Sequence, residues 1–267
     1  TDAIDTDDGG LAPPLDEPPP PLDSATSGGG GGGGGGADGG DGAGRTTGIL
    51  FSANSRSHMR VCGSASALSF GDKAAYTLAV QFYPRAPAQG TPELARTGGD
   101  AGAKGGEQTL LSKFNRGLRG EYRLGLDPTG RPFTSREAEP WALLAPEPVA
   151  LHRWHSVAAT YDGEMLRMYV DYVEVASARS GAQFSDQVTP VLIGCDMERD
   201  AYSRHFEGFI AEVAIWGRAL SAAEVSDLAT RAPVQGTPLY KGLSGCWRLL
   251  ESKQLRLHSA GRVVVPN

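Results

Sequence analysis

Between Trp154 and Ala178 apolar and polar residues alternate in three short runs, His155–Tyr161, Met165–Val170 and Val173–Ala178, separated by Asp162-Gly163 and Asp171-Tyr172. Period-two alternation bounded by turn residues predicts a β-meander. Val157, Ala159 and Tyr161 fall on one face of its first strand, and Ser156, Ala158 and Thr160 fall on the other. Leu166, Met168 and Val170 belong beside the apolar set, which needs a second layer to cover it. Asp162-Gly163 supplies the positive φ of a tight hairpin. Tyrosine tolerates that geometry poorly, so Asp171-Tyr172 predicts a longer turn or one of another type.

The same pattern recurs along the chain. Strands are expected at Gly48–Phe51, His58–Cys62, Tyr76–Pro84, Thr109–Phe114, Glu121–Asp127, Arg131–Ser135, Val191–Gly194 and around Phe206–Trp216. In Tyr76–Pro84 the residues Tyr76, Leu78, Val80 and Phe82 share a face, and Pro84 ends the ladder. The Gly/Pro-rich stretches Arg85–Glu107 and Glu137–Val149 read as exposed loops, and Asp196–Asp200 as a solvated turn. Ser221-Ala222-Ala223-Glu224 has capping-box spacing, with Leu220 and Val225 placed to staple it, so Ala222–Arg231 is a short helix ended by Pro233. One helix among about a dozen strands predicts an all-β protein, a two-sheet antiparallel jelly-roll sandwich.

Charge divides the chain in two. Nine of its 31 acidic residues and one of its 25 basic residues lie within residues 1–45, which leaves 22 acidic and 24 basic in the remainder. The acidic balance therefore belongs to the tail. With Pro18–Pro21 and nine consecutive glycines at Gly28–Gly36, residues 1–45 read as a disordered linker with almost no apolar surface to offset ordering. Residues 46–267 suffice for one large β domain. No apolar run approaches the roughly 20 residues that cross a bilayer, and no basic-then-apolar leader opens the chain. Cys62, Cys195 and Cys246 show no CxxC spacing, and His58, His152, His155, His205 and His258 show no metal spacing, so neither a zinc site nor a redox pair is predicted. A single disulfide, Cys62–Cys246, forms if the first and last strands are neighbours.

Four segments, "WHSVAATYDGEMLRMYVDYVEVASA", "PVLIGCD", "FEGFIAEVAIWGRALSAAEV" and "GLSGCWRLLES", resemble the laminin-G-like modules of the concanavalin A-like lectin/glucanase superfamily. "YTLAVQFYP" and "LLSKFNRGLRGEYRLGLD" fit the early strands of that family, so the resemblance runs from about Ile49 to about Leu250. It implies two curved sheets of jelly-roll topology and an extracellular or cell-surface setting. Departures are Gln81, where relatives often place tryptophan, Gly217 in place of the asparagine of "NRALS", and Asp171-Tyr172 in place of Asp-Gly. "KGLSGCWRLLES" is taken as the closing strand, since an orphan strand would leave Trp247, Leu249 and Leu250 uncovered.

Because the superfamily includes glycoside hydrolases, the resemblance raises the question of a facing pair of carboxylates. The Glu-x-Asp-x-x-Glu string of the related glucanases is absent, and Asp196, Glu198 and Asp200 sit in a turn around Arg199. No Gly-x-Ser-x-Gly elbow occurs either. The expected function is thus a non-catalytic binding module that recognises glycan or protein through rim loops, in a larger adhesive or matrix-type polypeptide with neighbouring modules. A ligandless scaffold is the alternative, and a glycoside hydrolase ranks last. Lys113, Arg116, Arg119 and Arg123 offer a basic cluster for a polyanionic glycan, and Trp141 and Tyr202 are the aromatics for a sugar site. Nucleic acid is not expected, because the patch lacks interleaved aromatics. The resemblance also implies a Ca²⁺ site at the rim, for which Glu121, Asp196, Glu198 and Asp200 are the candidate ligands.

Overall fold

The computed structural model describes residues 48–85 and 106–249. The acidic linker of residues 1–45, most of the first Gly/Pro-rich loop (86–105) and everything after 249 lie outside the described residues. In chain order the strands begin with β1 (Ile49–Phe51), β2 (Met59–Arg60), β3 (Tyr76–Pro84), β4 (Gln108–Arg116) and β5 (Arg119–Leu126). Next come β6 (Pro132–Arg136), β7 (Ala142–Leu144), β8 (His155–Tyr161), β9 (Met165–Val170) and β10 (Val173–Arg179). Then follow β11 (Leu192–Ile193), β12 (Asp196–Glu198), β13 (Ala201–Ser203), β14 (Gly208–Trp216) and β15 (Leu243–Arg248). Helices α1 (Ser64–Ala67) and α2 (Ala222–Asp227) are short.

These strands make two sheets. One runs β1-β14-β3-β8-β9-β10, with β15 also paired to β14; the other runs β13-β12-β4-β5-β6-β7, with β11 on β4 and β2 on β11. Pairing is antiparallel except between β12 and β4. The alternation read from sequence sets the packing. Tyr76, Leu78, Val80 and Phe82 of β3, Val157, Ala159 and Tyr161 of β8, and Leu166 and Met168 of β9 face Leu110, Tyr122, Leu124 and Ile193 of the other sheet in one core. Burying a side chain of this size stabilises by about 1.5–3 kcal/mol. On the outer face of the first sheet Ala79, Ala158, Tyr169, Ala214 and Trp216 are covered by Leu220, Val225 and Leu239, and the Trp216 indole donates to the Leu239 carbonyl at 2.7 Å.

Helix α2 carries the full capping box. Glu224 N–H donates to Ser221 Oγ at 3.3 Å, and Glu224 Oε2 accepts from Ser221 N–H at 2.9 Å. It ends four residues before the predicted Arg231, its last turn closing through three-residue bonds such as Leu228 N–H to Val225 O. β15 closes the domain edge by pairing Trp247 with Val213. At the meander's second turn Asp171 and Tyr172 both take positive φ, 47° and 70°. It is therefore a tight two-residue turn, in which Tyr172 Oη accepts a hydrogen bond from Gln81 and Asp171 holds the start of β8. The segment Asp196–Asp200 is likewise no open loop. β12 and β13 form a hairpin turning on Arg199 and Asp200, at φ 46° and 66°. All three cysteines are free: Cys62 follows β2 of one sheet while Cys246 lies on β15 of the other, so the expected disulfide does not form.

Candidate functional site

The loop between β6 and β7 lifts Trp141 to the surface, where it is 60% exposed. The loop turns at the cis peptide Glu139–Pro140. Trp141 borders an open groove of about 720 Å³ whose other walls include Lys73, Glu139, Glu164, Arg179 and Gly181. Three elements fix these walls. The Asp162-Gly163 turn is tied by Asp162 Oδ1, which accepts from the Glu164 and Met165 amides at 2.9 and 2.7 Å. Glu164 pairs with Arg179 across β9 and β10. Below, Arg136 is buried, its guanidinium 3.6 Å from the Tyr161 ring centroid and donating to Ser180 Oγ and the Gly181 carbonyl. An apolar ring beside ionic and amide groups is the arrangement that takes up a sugar's CH face and its hydroxyls. Sequence reasoning named Trp141 but missed Lys73, Glu164 and Arg179, which reach the groove only through the sheet register.

The basic cluster does not assemble. Lys113 is fully buried, its ammonium donating to the Asp186 and Thr189 carbonyls, and burial pulls its pKa down. Arg123 is buried against Asp196, 2.9 Å away, and against Glu107, while its guanidinium stacks on Phe133. Arg116 also pairs with Glu107. Arg119 alone of the four is exposed, and it borders a second groove of about 410 Å³ with Leu118, Phe184 and Val188. Phe184 there is 90% exposed and had no sequence signal, lying outside any predicted strand.

The acids nominated for calcium are likewise already partnered within the protein. Glu121 is buried and accepts from Ser69 Oγ and the Phe70 and Asp186 amides, each at 2.5 Å. Burial pushes its pKa up against the pull of those donors. Asp196 accepts from Ser203 Oγ, Arg204 and Arg123; Glu198 pairs with Arg204; Asp200 exchanges two hydrogen bonds with Asn115. A calcium ion needs six to eight converging oxygens, whereas two guanidinium groups already occupy this cluster and Glu121 is buried in hydrogen bonds to other segments. The residues present do not fit that ion. The same contacts remove Asp196 and Glu198 from any acid–base pair, since a general acid or nucleophile needs a carboxylate facing a cleft. Tyr202 is exposed on one side and packs against His58 with its ring tilted by 36°, ring centroids 4.1 Å apart. His155 is structural, bridging Asp171 and the Ala150 carbonyl.

No curated protein matches the chain. Among solved structures, a candidate carbohydrate-binding protein from Bacteroides ovatus superposes with a TM-score of 0.51 at 17% identity, over 76% of this chain and 51% of that one. The chain thus spans about half the length of that protein. The CBM40 module of a Ruminococcus gnavus IT-sialidase, bound to α2,3-sialyllactose, superposes at 0.46 with 15% identity over 58% of this chain and 83% of the module. A SAP-like pentraxin from Limulus polyphemus superposes at 0.41 with 12% identity, over 61% and 72% of the two chains. The first of these likenesses shows a shared sandwich fold. The laminin-G family model of the concanavalin A-like lectin/glucanases superfamily matches residues 57–226, most of the described fold, and the chain belongs to that family.

Proposed function

We propose that this domain is a non-catalytic binding module that takes a glycan at the Trp141 groove. The carrying observation is the exposed Trp141 ring standing over a groove walled by Lys73, Glu139, Glu164 and Arg179. Aromatic surface that remains open to water at a concave, partly polar site is kept for a ligand more often than for packing. The sandwich is shared with a candidate carbohydrate-binding protein, which agrees with this reading at the level of the fold. Glycan-array binding of the full chain tests it: the wild type should retain discrete glycans that Trp141→Ala releases. Incubation of the same glycans should yield no shortened products, and products that disappear with Glu139→Gln would replace this reading with a hydrolase. A protein ligand is the second reading, favoured by Phe184, Leu118 and Val188, which expose apolar surface beside Arg119.

A further inference from the structure

Three side chains that sequence spacing kept apart meet at the end of β2. His58 directly precedes that strand, whose Met59 faces Ile193 of β11. Two residues after Ile193, beyond the positive-φ Gly194, stands Cys195. His205 lies between β13 and β14, and its neighbour Phe206 donates its amide to the Gly194 carbonyl at 2.9 Å. The backbone thereby holds His205 beside Cys195 independently of any side-chain contact. One nitrogen from each imidazole and the Cys195 sulfur all lie within 4.8 Å of one another.

The polar atoms of this cluster are poorly served from within the protein. Among the described residues neither ring nitrogen of His205 makes a hydrogen bond of good geometry, although both are buried, and the Ser57 backbone and the Asp196 carboxylate pull only weakly on the ring. Leaving such a buried group unmatched is destabilising unless something from outside the protein bonds it. His58 Nδ1 lies 3.0 Å from the Arg56 carbonyl. That contact assigns its proton to Nδ1 and leaves the Nε2 lone pair free, the arrangement by which outer partners orient metal-ligating imidazoles.

We propose that His58, Cys195 and His205 form a binding site for one Zn²⁺, held by two imidazoles and a thiolate. Mixed nitrogen and sulfur donors select a borderline transition metal over Ca²⁺ or Mg²⁺, which take oxygen. Three protein ligands leave a fourth tetrahedral position for water or an outside ligand. Bonds of about 2.0–2.3 Å place tetrahedral ligand atoms roughly 3.3–3.8 Å apart, so the side chains close inward by about an ångström on binding. Burial raises the Cys195 thiol pKa, and the metal displaces its proton as it binds. The ion clips β2, the β11–β12 junction and the β13–β14 connection together. It does so at the end of the sheet where Tyr202 covers His58, a site separate from the Trp141 groove and independent of its ligand.

The reduced, chelator-stripped full chain is titrated with Zn²⁺ and with Co²⁺ as a coloured stand-in. The expected result is one equivalent bound, a raised melting temperature and thiolate-to-Co²⁺ charge-transfer absorption. Cys195→Ser should abolish the absorption, and His58→Ala should weaken Zn²⁺ binding at least about tenfold. His58 is half-buried at the surface, so circular dichroism should show that variant folded and its loss of metal attributable to the ligand. Failure to bind one equivalent, wild-type affinity in both variants, or uptake of Cu⁺ in place of Zn²⁺ would overturn the assignment.

Discussion

Glu121 shows how far one carboxylate can act when it is turned inward. Its oxygens accept from Ser69 Oγ and from the Phe70 and Asp186 amides, so a single side chain ties two loops to β5. The nearby Lys113 ammonium contributes attraction and is itself fixed by carbonyls. Removing the carboxylate strands three donors and a buried cation. Glu121→Ala should therefore destabilise by about 3 kcal/mol or more in chemical denaturation; a loss under about 1 kcal/mol would show that these loops need no such anchor. Neither residue's role was legible in the sequence, where Glu121 and Lys113 look like any surface pair on a hairpin. Alternation reveals which face a residue occupies, not which loops later cover that face. Trp141 was legible because a bulky aromatic in a proline-punctuated loop has no sheet to pack into.

Among the elements, those whose signal is local were recovered. β3, β8 and β9 have the predicted bounds, and the α2 cap forms as its spacing requires. The β12–β13 hairpin and the Asp171-Tyr172 turn were misjudged because non-glycine residues adopt positive φ there, with partners such as Asn115 and Gln81 lying far away in sequence to hold them. Helix α2 offers the sharpest test. Ser221→Ala should cost about 1 kcal/mol through loss of the cap. The Arg218 hydrogen bond, aided by Ser221, holds the Glu224 pKa at about 2, below its ordinary 4.5. A depressed acid stabilises the fold fully above its unfolded value, and that stability is lost as pH falls from about 4.5 toward 2. Urea midpoints measured across this interval should decline less steeply in Glu224→Gln than in the wild type; parallel curves would assign the acid sensitivity elsewhere.

Over the whole molecule, charges read as two separate patches neutralise each other across the second sheet. Arg123 and Asp196 are separated by 73 residues yet form a 2.9 Å contact, and Arg204 extends the network to Glu198 and Glu107. Asp196→Asn should consequently lower stability by about 3–5 kcal/mol, by leaving buried guanidinium charge uncompensated. Millimolar Ca²⁺ should leave the wild-type melting temperature unchanged, and a rise abolished by Glu198→Gln would contradict this assignment of the acids. Most strands were legible one by one from turn signals, although β7 and the β12–β13 hairpin were read as loops; the convergence of His58, Cys195 and His205 was not legible, since β2 joins β11 only through long-range pairing. Outside that network Trp141 stands exposed over its groove. Calorimetric titration of a glycan retained by the wild type, repeated with Trp141→Ala and Phe184→Ala, tests the assignment of the glycan to that groove most directly. At least about tenfold weaker binding in Trp141→Ala with an unchanged melting temperature, and unchanged binding in Phe184→Ala, is the predicted result; equal affinity in the wild type and Trp141→Ala would contradict the account.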